Sequence, residues 1–393
     1  TTQPNVSAAG GYHQAGAGIY NNGGTIRNCV ITDNKLQHSL ARNSSSGVVE
    51  SAWMYGAGLY MNDGTVFNTV ISDNVAEIID GDYVNKNTRG YHEVIVGAAA
   101  FLVNGSFYNN TITGNRSITY DTSDNNISLS GVYVYENMTM YNCIVSENTD
   151  KCGSGGPIRI YGYPIAAFNS SYTIAASKVR VYYSCVNIEE DSDKNLATTN
   201  DIERTNVYGD PRLDENYHLE TGSPAINTGT EAITGITIPD YDAEYTDRIK
   251  DCGIDMGAFE SENEGNIGYE TVTEEDGTKK YIYYYVTQNG DGLRSGNSAV
   301  NAACAMKLQQ ILNAAGEAAA NLTNGQVYVR LAGYEDQAFV YHPNTLGSEN
   351  DPQSYTYVVP AGVIVEGGYN EYFTERNPMK YQTILSAVSE ASP

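Results

Sequence analysis

Short apolar runs between Gly, Asn and Asp corners recur along the first part of the chain. Residues 16–34 read GAGIYNNGGTIRNCVITDN, residues 56–74 read GAGLYMNDGTVFNTVISDN, and residues 97–115 read GAAAFLVNGSFYNNTITGN. The first two stretches are offset by 40 positions and the last two by 41. Within each stretch the apolar spacing is two, which predicts short strands and not helices. A fixed period in this range predicts units that bury their apolar faces by stacking on one another.

Stacked units of this kind predict a parallel β-solenoid, with successive strands about 4.8 Å apart and equivalent residues aligned in columns. Two columns of Asn are predicted, because Asn tolerates left-handed backbone at a corner and its amide can bond the amide of the next unit. The first column contains Asn28, Asn68, Asn109 and Asn142, with Ser184 in the same place of a fifth unit, and the second contains Asn34, Asn74, Asn115 and Asn148. We expect both columns to be structural, since stacked side chains satisfy one another.

These repeats, which cover roughly residues 12–190, resemble the right-handed parallel β-helix of the pectate-lyase-like superfamily. The pattern G-A-G-I-Y…N-C-V-I…N is most similar to extracellular β-helix repeat proteins of Bacteroidota and to chlamydial polymorphic-type surface proteins. The resemblance implies an all-β, right-handed parallel β-helix. The resemblance does not indicate one function, because the superfamily contains lyases, hydrolases, adhesins and inert stalks.

A different pattern follows the repeats. Residues 208–229 read YGDPRLDENYHLETGSPAINTG and residues 238–260 read IPDYDAEYTDRIKDCGIDMGAFE. This text resembles the module that ends the solenoid in the same extracellular family, so residues 205–260 are interpreted as a terminator module after repeats at 1–204. Its charged residues are expected to be structural: Asp210, Asp255 and Glu260 act as turn and cap acceptors, with Arg248 as their partner.

The remaining sequence predicts a second, smaller set of elements. Residues 261–280 are acidic and polar, and they predict a linker or an exposed hairpin. Residues 281–393 resemble the opening of such β-helix proteins, where an amphipathic helix covers the start of the solenoid. Its predicted helix, at about 299–316, is supported by apolar residues at i, i+3, i+4 and i+7, with Asn297 or Ser298 as the cap and Gly316 as the end. The predicted strands are 281–286, 327–331, 357–359, 363–365 and 383–385.

The modules therefore stand in the order repeats, terminator, linker, initiator. An uncapped solenoid end exposes strand edges and apolar side chains, which favours pairing with another copy. Two interpretations stay open: the chain is a fragment of a longer tandem protein, or it is a subunit whose C-terminal initiator is continued by the N-terminal repeats of the next copy. The second contact would be head-to-tail and would produce a filament.

Composition narrows the possible partners. The formal net charge of −25 argues against nucleic acid and anionic membrane surfaces as partners. The sequence contains no run of about 18 apolar residues, so no membrane span is predicted. The 33 Tyr residues, against 7 Phe and one Trp, predict half-exposed strand faces, with stacking on sugars or a protein partner left open. Three of the six Cys residues, Cys29, Cys143 and Cys185, are expected at equivalent inward positions, where a Cys143–Cys185 disulfide is left open.

Candidate chemistry is sparse. Four carboxylates of the segment DYDAEYTD are candidate calcium ligands, although turn acids that pair with Arg248 would give the same pattern. These candidates are Asp240, Asp242, Glu244 and Asp247. Residues 248–250 match a tripeptide of polygalacturonases, but the companion acidic pairs are missing. Asp33 and Asp73 align, but the equivalent residue of the next unit is Gly114. The repeats therefore lack the acidic column that calcium-dependent lyase or paired-carboxylate hydrolase chemistry would need.

We therefore expect a non-enzymatic structural or adhesive protein of the bacterial cell surface, without catalytic or cofactor-binding residues beyond the possible calcium site. Its expected partners are other copies of itself, head-to-tail, and surface glycans or proteins. The alternatives are a polysaccharide lyase or hydrolase of the pectate-lyase-like superfamily, or a glycan-binding module that uses tyrosines.

Overall fold

A computed structural model describes residues 11–39, 51–79, 93–119, 127–134, 138–152, 165–166, 180–187, 205–249, 253–261, 265–335, 339–343 and 356–386. The chain divides into two compact bodies. The N-terminal body contains residues 1–248 and 255–262, and the C-terminal body contains residues 249–254 and 263–393.

The N-terminal body consists of short strands that recur once per repeat. In repeat 1 these are β1 (Gly11–Ala15), β2 (Ile19–Arg27), β3 (Val30–Thr32) and β4 (Lys35–Ser39); in repeat 2, β5 (Ser51–Tyr55), β6 (Leu59–Phe67), β7 (Val70–Ser72) and β8 (Val75–Ile79); in repeat 3, β9 (Glu93–Val96), β10 (Ala100–Leu102), β11 (Ser106–Tyr108), β12 (Thr111–Thr113) and β13 (Arg116–Thr119). In repeat 4 they are β14 (Ile127–Leu129), β15 (Val132–Val134), β16 (Thr139–Tyr141), β17 (Ile144–Ser146) and β18 (Thr149–Cys152); β19 (Ile165–Ala166), β20 (Arg180–Tyr182) and β21 (Cys185–Val186) form repeat 5, and β22 (Val207–Tyr208) follows.

Every strand of this body pairs in parallel with the equivalent strand of the neighbouring repeat. The four sheets are ordered β1-β5-β9-β14, then β19-β15-β10-β6-β11-β16-β20 with β2 on β6, then β22-β21-β17-β12-β7-β3, and β18-β13-β8-β4. The register follows the period of the sequence, since Val30 faces Val70 and Val70 faces Thr111. The predicted stack of parallel, in-register repeats is confirmed, and it is compatible with a β-solenoid.

The core lies between these sheets and is built from columns of apolar side chains. One column follows the middle residue of each short strand in the third sheet: Ile31, Ile71, Ile112, Val145 and Val186 are all buried. Because each repeat contributes one layer, a neighbouring repeat is needed to bury the apolar side chains of the next.

The polar columns mark two corners of each repeat where the backbone is left-handed. At the first corner φ is 52° at Asn28, 49° at Asn68, 53° at Asn109 and 51° at Asn142. The fifth residue of this column is Tyr183, with φ of 48°, and not Ser184 as predicted. The prediction was wrong by one position because Cys185 pairs with Ile144, which places Ser184 beside Cys143.

The second corner explains the short acidic column of the sequence. Asp33, Asp73 and Glu147 have φ of 57°, 54° and 53°, and Gly114 at the same place has φ of 68°. Asp and Gly share this column because both tolerate left-handed backbone. Each of these residues directly precedes a member of the second Asn column, so the column marks a turn.

The C-terminal body is a mixed sheet covered by one helix. Its elements are β23 (Glu270–Thr273), β24 (Lys280–Thr287), β25 (Ala303–Cys304), α1 (Leu308–Asn321), β26 (Gly325–Ala332), β27 (Phe339–Tyr341), β28 (Val363–Tyr369) and β29 (Thr383–Leu385). The larger sheet is ordered β23-β24-β26-β28 with β25 on β24, and β27 pairs with β29. Strand β23 is antiparallel to β24, so the acidic segment predicted as a linker or hairpin contains a hairpin.

The helix differs from its predicted bounds of about 299–316. Residues 303–304 are extended against β24, so α1 begins only at Leu308 and neither Asn297 nor Ser298 caps it. Gly316 does not end the helix as predicted but lies inside it, since α1 continues to Asn321. A Cβ atom at Gly316 would come within 2.6 Å of the Pro360 side chain. The close approach of Pro360 therefore explains this glycine. The predicted strand at 357–359 is absent, and Gln309 instead holds the backbone of Val358.

Candidate functional site

The segment after the repeats returns along their outer side. We call residues 205–248 and 255–261 the strap. Only β22 extends a sheet of the stack, beside β21. Further along, the Asn28 side chain donates to the Asp242 carbonyl at 3.2 Å, and that of Asn68 donates to the Tyr241 carbonyl at 2.8 Å. Asn142 and Thr230 exchange two bonds of 2.8 Å. The strap thus contacts the corner column of several repeats, which the comparison with end-capping modules did not predict.

Apolar contacts hold the strap against two sheets. Ile233 packs on the stacked rings of Phe67 and Tyr108, whose centroids are 5.1 Å apart, and Phe259 packs on Val70. Gly257, with φ of 100°, lies so close to the repeats that a Cβ atom would be 2.7 Å from the Ile144 side chain. The strap therefore buries outward-facing side chains of the stack that would otherwise meet water.

Arg248 fastens the strap at its centre. Its side chain is fully buried, and one terminal nitrogen donates to Glu260 Oε1 at 2.8 Å. The other donates to Asn68 Oδ1 at 2.8 Å and to the Gly257 carbonyl at 2.7 Å. The guanidinium therefore joins two parts of the strap to the second repeat. Because the Arg248 side chain has no exposed surface, it cannot itself contact a polysaccharide, although it belongs to the tripeptide 248–250 that matches polygalacturonases.

The acidic residues around Arg248 cap turns of the strap. Asp255 accepts the backbone N–H groups of Asn227 at 2.6 Å and Ser261 at 2.7 Å, and its own N–H donates to Glu260 Oε1 at 3.0 Å. Asp210 accepts the N–H of Arg212 at 2.8 Å. Burial, reinforced by the nearby Asp255 carboxylate, raises the pKa of Glu260 well above its ordinary value. Asp210 and Asp255 thus act as turn acceptors, and Glu260 is the carboxylate of the three for which an ion pair with Arg248 is observed.

The four calcium candidates lie in the same strap. Asp242 is buried, and its Oδ1 accepts the N–H groups of Glu244 and Thr246 at 2.8 Å each, while its Oδ2 accepts the N–H of Glu260 at 2.8 Å. The Glu244 carboxylate lies 3.1 Å from Nε2 of His218. The Asp240 carbonyl accepts the Arg248 N–H, and Asp247 forms an antiparallel bridge with Tyr241. Within the described ranges no three His, Cys, Asp or Glu side chains form a metal-binding group.

Calcium binding by these four carboxylates stays a prediction, and thermal unfolding tests it. A rise in the melting temperature with calcium but not with magnesium, lost in Glu244→Gln, would support a site. Glu231→Gln is the matched control, because Glu231 is an exposed strap residue outside the candidate set. An unchanged melting temperature in millimolar calcium would contradict the site.

The second Asn column is a continuous ladder of side-chain hydrogen bonds. Asn34 Nδ2 donates to Asn74 Oδ1 at 2.9 Å, Asn74 to Asn115 at 2.9 Å, and Asn115 to Asn148 at 2.8 Å. Each acceptor oxygen also receives the backbone N–H of the preceding Asn, at 3.0–3.1 Å. These amides therefore bond one another from repeat to repeat.

Aromatic side chains form a comparable column. Tyr20, Tyr60, Phe101 and Tyr133 stack face to face, with centroids separated by 5.2, 5.1 and 4.7 Å. Because the rings cover one another's faces, a sugar would meet ring edges along most of this column. Tyr20, at the end of the series, is 43% exposed. It is the member of this column best placed to offer an open ring face.

The cysteines follow the sequence prediction in part. Cys143 and Cys185 are buried free thiols, so the disulfide left open between them is absent, and burial raises the pKa of each to about 12. Cys29 is free but exposed. Cys185 is not equivalent to the other two, since it pairs with Ile144. Cys304, in the C-terminal body, is disulfide-bonded.

In the part of the chain that the structure describes, no helix has the length and apolar character needed to cross a membrane. Comparison with known proteins gives no further assignment: no protein-family model, no curated protein and no solved structure matches this chain. The likeness to pectate-lyase-like β-helices therefore rests on the sequence motifs and on the parallel stacking of the repeats.

Proposed function

We propose that this chain is a non-enzymatic structural or adhesive protein of a bacterial cell surface. Its repeats would form a right-handed parallel β-helix that serves as part of a longer stalk or a head-to-tail filament. The observation that supports the proposal most is how the aligned polar side chains are hydrogen-bonded. Both Asn columns bond within the stack or to the strap, and the buried Arg248 and Glu260 bond each other. These columns join the repeats, and within the ranges that the structure describes they contain no aligned acid and base for polysaccharide chemistry.

Two features support an extracellular location. Cys304 is disulfide-bonded, and disulfides persist mainly in oxidising compartments outside the cytosol. The formal net charge of −25 favours solubility and disfavours binding to nucleic acid.

The glycan-binding alternative has one observation in its favour, which is the exposed Tyr20 at the end of the aromatic column. A single exposed ring supplies a small stacking surface. If glycans bind there, Tyr20→Ala should abolish retention on an immobilised glycan, whereas Tyr241→Ala, at a tyrosine 50% exposed in the strap, should not.

The non-enzymatic proposal is tested by incubating the purified chain with a panel of plant and bacterial polysaccharides, with and without calcium. We expect no unsaturated products and no new reducing ends above a heat-denatured sample, because no described column pairs an acid with a base. Release of either product, proportional to protein concentration, would overturn the proposal in favour of a lyase or a hydrolase.

A further inference from the structure

The larger sheet of the C-terminal body has two different faces. On one face, alternate residues of β24, β26 and β28 pack with the apolar side of α1. Because side chains alternate along a strand, the residues between them point to the opposite face. There Tyr328 lies beside Tyr283 in register, and Arg330 lies between Tyr285 and Glu366. We call this second face the tyrosine face, and its members are Tyr281, Tyr283, Tyr285, Tyr328, Arg330 and Glu366.

Three tyrosine rings form a row across this face. The ring centroids of Tyr283 and Tyr328 are 5.3 Å apart, and those of Tyr281 and Tyr283 are 6.5 Å apart. All three residues are half-buried, so part of each ring remains in contact with solvent. A tyrosine has an apolar ring and a polar hydroxyl. The row therefore presents apolar carbon and hydroxyl groups side by side, a surface against which the C–H groups of a sugar can pack.

Arg330 lies beside this row with most of its hydrogen-bonding capacity unused. Its guanidinium carbon is 3.9 Å from the ring centroid of Tyr283 and 5.3 Å from that of Tyr369. Within the described chain its one hydrogen bond is long, from Nη1 to the Tyr285 hydroxyl at 3.5 Å. Nε has no hydrogen-bond partner, since Glu366 Oε2 is 3.8 Å away. A guanidinium has five N–H donors, so ring contacts hold Arg330 and leave terminal donors for a ligand.

Carboxylates next to Arg330 supply acceptors. Glu366 accepts the Tyr369 hydroxyl at 2.8 Å, and the exposed Glu270 accepts the Tyr285 hydroxyl. A carboxylate has about four acceptor positions, so each can accept a further O–H group. The side chains of Arg330 and Glu366 are 24% and 22% exposed, so a ligand on this face can reach both. Donors and acceptors of hydrogen bonds therefore lie together beside the tyrosine row.

We propose that the tyrosine face binds a neutral glycan, with Arg330 donating to its oxygens and Glu366 accepting from its hydroxyl groups. This inference rests on the proposed adhesive function and names its ligand class. A sugar hydroxyl both donates and accepts, which suits a face that holds an arginine and carboxylates together. Glu270 and Glu366 would repel an anionic glycan, and a cationic ligand would leave the donors of Arg330 unpaired. The tyrosine rings supply the apolar part of the contact.

The test is affinity electrophoresis of the full chain in native gels that contain a soluble neutral glucan, mannan or galactan, with polygalacturonate as the anionic comparison. We expect at least one neutral polysaccharide to slow the wild-type chain in proportion to its concentration, and polygalacturonate not to slow it. Arg330→Met keeps an apolar stem beside Tyr283 and removes the donors, so it should weaken binding by about tenfold or more. Arg212→Met, at an exposed arginine of the strap, is the matched control and should bind like the wild type.

A second variant, Arg330→Lys, keeps the charge and loses the planar fork, so it should also weaken binding. The melting temperature of each variant checks its folding separately. Three results would overturn the glycan site: no neutral polysaccharide slows the wild-type chain, polygalacturonate alone slows it, or folded Arg330→Met and Arg330→Lys bind as tightly as Arg212→Met. None of them would affect the non-enzymatic assignment, because that assignment is tested by the release of cleavage products and not by binding.

Discussion

Replacing Arg248 with Met should lower the free energy of unfolding of the N-terminal body by about 3–5 kcal/mol, because it leaves the buried Glu260 carboxyl without its partner. The same change removes the bonds of the guanidinium to Asn68 and to the Gly257 carbonyl, so the strap loses its link to the second repeat. Urea unfolding followed by tryptophan fluorescence measures this, since the single tryptophan, Trp53, lies in the N-terminal body.

Two variants separate the ion pair from a general effect of losing arginine. Arg212→Met removes an exposed strap arginine and should change the unfolding free energy by less than about 1 kcal/mol. The double variant Arg248→Met with Glu260→Leu should recover part of the loss, because an apolar pair no longer leaves a buried charge. An Arg248→Met protein as stable as Arg212→Met would show that the buried pair does not fasten the strap.

The ladder should be the next most sensitive place. Asn115 is fully buried, and its side chain donates to Asn148, to the Ile71 carbonyl and to the Thr113 carbonyl. Its oxygen accepts both the N–H and the Nδ2 of Asn74. Asn115→Ala leaves several buried groups unpaired, each at about 1–3 kcal/mol, so a total loss of about 3–4 kcal/mol is expected after partial relaxation.

Asn34, the first described member of the same ladder, is the matched control for this prediction. Asn34 is half-buried and bonds only one neighbouring repeat among the described residues, so Asn34→Ala should cost about 1 kcal/mol. The comparison uses the same urea unfolding and the same Trp53 signal. Equal losses at Asn34 and Asn115 would mean that the ladder bonds contribute little and that each Asn acts only through its own corner.

The repeat spacing made the stack predictable from sequence. Offsets of 40 and 41 residues align the corner Asn residues and the apolar strand centres, and the pairing of Val30 with Val70 and Val70 with Thr111 follows them. In the fifth repeat, alignment by residue type and spacing gives the wrong corner residue. Ser184 resembles a corner residue by type, but the apolar register places Tyr183 there in left-handed backbone. Packing of the column, and not residue type, decides the alignment.

The strap could not be predicted from spacing, because its contacts join distant parts of the chain. Arg248 and Asn68 are 180 positions apart, and neither local sequence contains a pattern that predicts their hydrogen bond. The start of α1 was missed for a related reason: the pairing of residues 303–304 with β24 overrides the helical preference of the alanines before Leu308. In both cases a tertiary contact decides the local conformation.

Electron microscopy of the purified, concentrated chain tests most directly whether its repeats continue from one molecule into the next. We expect elongated particles of several lengths, in steps of a single repeating subunit. Monodisperse short particles alone, at every concentration, would contradict the proposed head-to-tail continuation of the repeats.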